Sequence, residues 1–195
     1  MNYQDIIDEY YPEDGDLKRL LLKHSRQVAD RSIEISNRHP ELRIDREFVE
    51  EAAMLHDIGI RWCDAPGICC NGTEPYIRHG LIGGELLRHK GLVRHAQVCE
   101  RHTGTGLTRE QIERQQLPLP LPPPTSQNGS GYAPTADDEP YVPHELEEKV
   151  VCYADKFYSK SHPERVLTVA QAAQSLERFG HRGVRIFLEW AAMFE

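Results

Sequence analysis

The chain of 195 residues carries 23 Lys and Arg against 31 Asp and Glu, which gives a formal net charge of −8 at pH 7. A chain of this length can bury one sizeable core, so we expect residues 1–195 to form a single domain. No run of basic residues interleaves with aromatic residues, which argues against a nucleic-acid polymer as the partner while allowing a small anionic ligand.

No stretch of the sequence is long and apolar enough for a membrane span, and the first residues lack the basic and apolar regions of a signal peptide. We therefore expect a cytoplasmic protein without a membrane partner. Five cysteines without a CxxC pair predict reduced thiols, and neither a disulfide framework nor a thiolate zinc site is expected. The sequence leaves the oligomeric state open.

Apolar residues recur at helical spacing through the first part of the chain. They predict a short helix over 3–10 and a long helix over 17–39, which ends before Pro40 because proline disfavours helical geometry in the residue before it. His24 shares the apolar stripe of the long helix. A single histidine in such a stripe is more often a core residue hydrogen-bonded to the backbone than a metal ligand.

The next predicted helix begins after Asp45, a candidate N-cap, and ends near Gly59, with His56 and Asp57 in its last turn. Burying an imidazole beside a carboxylate is unfavourable unless something pairs with both groups. A divalent cation would do so, because imidazole nitrogen and carboxylate oxygen are both metal ligands and a carboxylate can bridge two ions. The adjacent pair therefore indicates a metal site.

Two further histidines lie on predicted helices in the middle of the chain. His79 faces inward on a helix over 74–90, and His102 ends a helix over 92–102. His102 thus repeats the placement of His56, at the C-terminus of a helix and directed towards the core. Both side chains are candidate ligands for the same site.

The last third of the chain changes composition twice. After a capped polar helix over 108–116, residues 117–143 are rich in Pro, Gly and Ser and predict a loop insertion. The next helix is apolar nearly all round, so it is expected to be central, and its Asp155 would be an unpaired buried carboxylate without a metal. Amphipathic helices over 164–179 and 184–194 complete an all-α bundle.

The candidate ligands read H…HD…H…H…D in chain order, and His56-Asp-Ile-Gly59 falls within this pattern. The pattern resembles the HD-domain superfamily of metal-dependent phosphohydrolases, and the HDIG-type members in particular. The stretches 100–104, 106–108 and 146–156 are similar to small uncharacterised HDIG proteins. The resemblance implies an HD-domain helical bundle with the Pro-rich loop inserted in it.

The resemblance also implies a centre with two divalent metal ions. The first ion would be held by His24, His56, Asp57 and Asp155, and the second by His79, His102 and the other oxygen of Asp57. Nitrogen and oxygen ligands favour iron, manganese, cobalt or zinc. A hydroxide bridging the ions would attack phosphorus, so Asp57 and His56 are expected at the catalytic centre. The implied substrate is a small phosphorylated molecule, with a nucleotide as the first candidate.

Basic residues next to the candidate ligands are candidates for holding the phosphate: Arg61, Arg78, Arg101 and Lys156. Neighbouring residues on a helix point about 100° apart, so each could equally be a solvated charge. Two other functions stay open. A di-iron HD-fold oxygenase acting on a small polar substrate has the same order of ligands, and a non-catalytic HD signalling module would have the same fold.

Overall fold

The computed structural model describes residues 1–122 and 138–195, and helices dominate this part of the chain. The helices are α1 (Tyr3–Tyr10), α2 (Asp16–Arg38), α3 (Arg46–Leu55), α4 (His79–His89), α5 (Val93–Arg101), α6 (Arg109–Gln115), α7 (Leu146–Asp155), α8 (Val169–Leu176) and α9 (His181–Phe194). The fold is therefore mostly α-helical, as predicted. None of the described helices is both long enough and apolar enough to cross a membrane.

Short strands occupy two of the connections between helices. They are β1 (Cys63–Ala65), β2 (Cys70–Asn71), β3 (Glu74–Pro75), β4 (Tyr158–Ser159) and β5 (His162–Val166). Strand β1 pairs antiparallel with β2 and parallel with β3, whereas β4 and β5 form an antiparallel hairpin. The sequence predicted only a loop between α3 and α4, because strands of two or three residues are too short to show a periodic pattern.

Helix α7 lies at the centre of the bundle, as its apolar sequence predicted. It packs against α2, α3, α5 and α9, and every residue from Val150 to Asp155 is buried. The ring of Tyr153 stacks on Phe187 of α9 with centroids 4.9 Å apart. Full burial of an apolar side chain of this size stabilises the folded state by about 1.5–3 kcal/mol. The position of α7 fixes where its last residue, Asp155, can reach.

Helix α3 begins after its predicted capping residue but ends earlier than predicted. Asp45 caps α3 by accepting a hydrogen bond from the backbone N–H of Phe48 at 3.1 Å. Helix α3 ends at Leu55, and the chain then forms a 3-10 turn over Ile58–Trp62. His56 and Asp57 thus lie just beyond the helix, whereas the sequence predicted them in its last turn.

The C-terminal region differs from the sequence prediction. The predicted helix over 164–179 begins only at Val169, and residues 162–166 form strand β5 instead. Thr168 caps α8 by accepting a hydrogen bond from the backbone N–H of Gln171, which sets the start of the helix. The last helix begins at His181 rather than at residue 184. The predicted helical start at residue 164 is wrong, because residues 162–166 pair with β4 as a strand.

The predicted loop insertion at 117–143 is described only at its two ends, because residues 123–137 lie outside the described part. Both ends pack on the bundle. Leu119 and Tyr141 are buried in a small apolar cluster, and the hydroxyl of Tyr141 donates to the carbonyl oxygen of Pro120 at 2.8 Å. The backbone N–H of Leu107 donates to the carbonyl oxygen of Tyr141 at 3.0 Å. These contacts hold the two ends together.

A buried ion pair joins α5 to α7. The guanidinium of Arg101 donates through Nη1 to Oε1 of Glu148 at 2.6 Å and through Nε to the carbonyl oxygen of Pro140 at 3.1 Å. The two side chains are only 9% and 3% exposed. The second carboxylate oxygen of Glu148 accepts from the backbone N–H of His144 at 2.7 Å. The pair therefore links two helices and the segment that leads into α7.

A close backbone approach joins the 3-10 turn after α3 to the start of α4. A Cβ atom on Gly59 would lie 2.1 Å from the carbonyl oxygen of His79 and 2.5 Å from the backbone nitrogen of Gly83. Real Cβ atoms do not approach backbone atoms so closely. Only glycine fits at this position, and its fit sets the distance between the turn that follows Asp57 and the helix that begins at His79.

Replacing Gly59 with alanine should therefore destabilise the fold by at least the upper end of the range for overpacking, about 1–3 kcal/mol. Gly67→Ala is the matched control, because a Cβ at Gly67 meets nothing within 4 Å. Urea unfolding followed by circular dichroism would measure both variants. Equal midpoints for the two variants would contradict the close approach.

Replacing Arg101 with methionine should cost about 3–5 kcal/mol, because the carboxylate of Glu148 would stay buried without its cation. Arg185→Met removes the partner of Glu189 in an exposed pair and should change the free energy of unfolding by less than about 1 kcal/mol. The same urea titration measures both. A loss in Arg101→Met no larger than in Arg185→Met would show that the buried pair is not structural.

Candidate metal centre

The structure brings all six predicted ligands together in the interior of the bundle, and all six side chains are buried. They come from different elements: His24 from the middle of α2, His56 and Asp57 from the residues after α3, His79 from the start of α4, His102 from the residue after α5, and Asp155 from the end of α7. Five of the six thus lie at or next to helix termini, where the backbone turns and side chains from several elements can converge.

The two carboxylate oxygens of Asp57 face two different pairs of histidines. Oδ2 lies 3.3 Å from Nε2 of His24 and 3.2 Å from Nε2 of His56. Oδ1 lies 3.4 Å from Nε2 of His79 and 3.5 Å from Nε2 of His102. Asp57 is fully buried between the pairs. This arrangement is suited to a carboxylate that bridges two ions.

Asp155 completes the first of these groups. Its Oδ1 lies 3.0 Å from Nε2 of His24 and 3.6 Å from Nε2 of His56. Nitrogen and oxygen ligands lie about 2.0–2.2 Å from a first-row ion, so neighbouring ligands on one ion lie about 3.0–3.5 Å apart. The spacings around both oxygens of Asp57 are close to this range, so the residues present fit divalent ions.

Backbone carbonyl groups fix the tautomers of three of the histidines. Nδ1 of His56, of His79 and of His102 each donates to the carbonyl oxygen three residues earlier, at 2.6, 2.6 and 2.7 Å. A carbonyl oxygen can only accept, so Nδ1 carries the proton and Nε2 of a neutral ring presents a lone pair. Such orientation by a backbone group is typical of metal-binding histidines.

Several buried polar atoms at this centre have close neighbours but no hydrogen bond within the described ranges. They are Nε2 of His24, Nε2 of His56 and Oδ1 of Asp57. In addition, Nε2 of His79 lies 2.9 Å from Nε2 of His102, so two neutral rings would direct lone pairs at each other. Unpaired buried polar groups are costly. A cation on each side of Asp57 would satisfy all of them.

The pKa of His56 shifts in the opposite direction from the pKa values of His79 and His102. Burial, together with the charge of His102, lowers the pKa of His79 to about 3, and burial also lowers the pKa of His102. Burial acts in the same direction on His56, but the charges of Asp57 and Asp155 outweigh it and raise the pKa to about 9. His79 and His102 are thus neutral at pH 7, as metal ligation requires.

A lysine that the sequence analysis did not identify reaches the centre. Nζ of Lys160 lies 2.6 Å from Oδ2 of Asp57, and its side chain is 14% exposed. Nζ of Lys156 similarly lies 2.6 Å from Oδ2 of Asp155 and donates to the carbonyl oxygen of His102 at 3.0 Å. Burial raises the carboxyl pKa values, yet these cations help to hold both well below the ordinary range. Both carboxylates are therefore ionised.

A cavity of about 600 Å³ opens beside His79, His102 and Asp155. Its wall is basic although the whole chain is acidic. Four of its described lining residues are lysines or arginines, and Asp155 is the carboxylate among them. The basic residues are Lys156, Lys160, Arg165 and Arg178. A wall of this charge attracts a small anion to the edge of the centre.

Of the four basic residues that the sequence suggested for phosphate binding, Lys156 lines this cavity and the three arginines do not. The guanidinium groups lie against other partners: Arg61 against the carbonyl oxygen of Tyr10, Arg78 against Glu74, and Arg101 against Glu148. The three arginines are next to candidate ligands in the sequence, but neighbouring residues point in different directions, so their side chains do not reach the cavity. The hairpin β4–β5 supplies Lys160 and Arg165 instead.

Comparison with known proteins identifies the family. The model of the HD-domain family matches residues 21–160, which include all six candidate ligands. A tRNA (cytidine(56)-2'-O)-methyltransferase of Picrophilus torridus is 29% identical over 159 residues, a match that covers 81% of this chain and 36% of that protein. An uncharacterised protein of Methanocaldococcus jannaschii is 33% identical over 113 residues, covering 57% of this chain and 49% of that protein. The matches thus span less than half the length of these relatives.

Among solved structures, the crystal structure of the HD domain of the L. monocytogenes phosphodiesterase PgpH has the same fold. The two chains superpose with a TM-score of 0.50 at 14% sequence identity, and the match covers 95% of this chain and 93% of the other. At this identity the similarity concerns the fold alone. Since the family model covers more than half of the residues and the fold agrees with it, the chain belongs to the HD-domain family.

Proposed function

We propose that this protein is a metal-dependent phosphohydrolase that acts on a small phosphorylated molecule, with a nucleotide as the first candidate substrate. One observation carries the proposal: the buried carboxylate of Asp57 directs each of its oxygens at a separate pair of histidine nitrogens, at 3.2–3.5 Å. Two adjacent ions joined by a carboxylate are a common arrangement in enzymes that cleave phosphate esters.

The residues that would hold the ions follow from this geometry. The first ion would bind to His24, His56, Asp57 and Asp155, and the second to His79, His102 and Asp57. Bound ions would supply Lewis acidity and would lower the pKa of water towards neutrality. Asp57 orients both groups of ligands, and the carbonyl groups behind His56, His79 and His102 keep the rings in position. Iron, manganese, cobalt and zinc all suit these donors.

The cavity supports an anionic substrate of moderate size. About 600 Å³ lies within the usual range for small-molecule sites, about 300–1,000 Å³. Lys156 and Lys160 stand next to the ligands, where a phosphoryl group would lie, and Tyr76, Ile77 and Leu167 add apolar surface to the wall. A phosphate joined to a flat or apolar group, such as a nucleoside, suits a wall that combines basic and apolar side chains.

The oxygenase alternative uses the same nitrogen and oxygen ligands, so the ligand set does not separate the two activities. The surroundings of the ligands favour the hydrolase. The side chains of Lys156 and Lys160 are 10% and 14% exposed and contact Asp155 and Asp57. A phosphate would give both cations a further anionic partner, which a neutral polar substrate would not. A non-catalytic module would not need six candidate ligands clustered beside a basic cavity.

Asp57→Asn should lose nearly all bound metal, because a neutral amide cannot bridge two cations. His79→Gln should lower the metal content towards one ion per chain, since the other group of ligands stays intact. His95→Gln is the control: this histidine is buried, but it contacts Glu51 outside the centre and should keep both ions. Elemental analysis by mass spectrometry measures the number of metal ions per chain in all three variants. Retention of two ions per chain by Asp57→Asn would exclude the bridging role.

The activity itself should appear as release of phosphate from a panel of nucleotides and phosphomonoesters. Protein loaded in turn with iron, manganese, cobalt and zinc would be assayed with and without oxygen. A hydrolase releases phosphate at the same rate without oxygen, and Asp57→Asn should reduce that rate by several powers of ten, since each ~1.4 kcal/mol of lost stabilisation is a tenfold change. Oxygen consumption without phosphate release would replace the proposal with the oxygenase.

A further inference from the structure

The hairpin β4–β5 turns back towards the metal centre immediately after Asp155. Lys160 lies in the turn between its strands, and its side chain extends inward until Nζ is 2.6 Å from Oδ2 of Asp57. Lysine is rarely buried unless its charge is paired. The neighbouring residues Ser161 and His162 are exposed, whereas the side chain of Lys160 is only 14% exposed.

The ammonium group has more donors than its protein partners use. It has three N–H donors, and the ion pair with Asp57 uses one of them. Lys160 also lines the cavity beside the centre. The ammonium group therefore has donors left for an oxygen atom of a ligand in the cavity, next to the carboxylate that faces both groups of histidines.

Helix α2 holds the hairpin in place. The side-chain amide of Gln27 donates to the carbonyl oxygen of Pro163 at 3.2 Å, whereas the pair of Lys23 with Glu164 at 2.7 Å is exposed and contributes little to holding the hairpin. The same helix carries His24, about one turn before Gln27. The helix that supplies one of the candidate ligands therefore also holds the hairpin that carries Lys160. An electrostatic contact that is fixed before the substrate arrives costs little reorganisation during the reaction.

We propose that Lys160 is a catalytic residue that contacts a non-bridging oxygen of the phosphoryl group. During hydrolysis the oxygen of a water molecule forms a bond to phosphorus, the bond from phosphorus to the leaving oxygen breaks, and a proton of the water ends on the leaving oxygen. Negative charge on the non-bridging oxygens is stabilised by the ammonium group throughout. This role rests on the proposed function, and it assigns the phosphate contact to the hairpin rather than to the arginines next to the ligands.

The test compares Lys160→Met, Lys160→Arg and Lys23→Met. Methionine removes the charge but keeps an unbranched chain, arginine keeps the charge, and Lys23→Met removes a lysine that contacts the same hairpin from its exposed side. Binding of inorganic phosphate to the metal-loaded proteins, by titration calorimetry, gives a readout that does not need turnover. Metal content is measured for each protein, so that a lost contact is distinguished from a lost ion.

Lys160→Met should bind phosphate about tenfold to a hundredfold more weakly, as expected for loss of a charged hydrogen bond. Its kcat on the best substrate of the parent should fall by about 10²–10³. Lys160→Arg should recover part of the affinity, and Lys23→Met should match the parent. Unchanged phosphate affinity in Lys160→Met, or no phosphate binding by the parent, overturns the role of Lys160. Phosphate binding that depends on Lys160 without any ester hydrolysis would overturn the proposed function and leave the contact standing.

Discussion

The structure of the candidate centre depends on one buried carboxylate. Asp57 has no exposed surface, yet it is ionised and has Lys160 at one oxygen and histidine nitrogens at both. A charge in such a position is tolerated only when opposite charges and oriented dipoles surround it. The requirement explains why α2, α4, α5 and α7 all direct polar side chains at this point of an otherwise apolar core.

Much of the helical framework and the positions of the candidate ligands could be predicted from the sequence. Capping residues such as Asp45 and Thr108 act on the next few residues, so their effect on helix boundaries is local and readable. The adjacency of His56 and Asp57 in an apolar stretch is equally local, and it indicates a bound cation from the sequence alone. The convergence of His24 with Asp155 rested instead on the resemblance to a family.

The features that the sequence did not reveal arise from contacts between distant segments. Lys160 has no helical pattern around it, and it reaches Asp57 only because β4 and β5 turn back after α7. The approach of Gly59 to the backbone of His79 likewise depends on how a 3-10 turn packs against α4. Periodicity reports which face of an element is buried, but it does not report which distant element covers that face.

The separation of the six ligands along the chain links metal binding to folding. His24 and Asp155 lie near opposite ends of the region that the family model covers, so bringing them together in the unfolded chain would require closing a long loop, which costs entropy. An ion that binds only the assembled bundle stabilises it in proportion to the logarithm of its free concentration, by about 2.7 kcal/mol at a hundredfold excess over Kd. The supply of metal in the cell would then determine how long the protein survives proteolysis as well as how much of it is loaded.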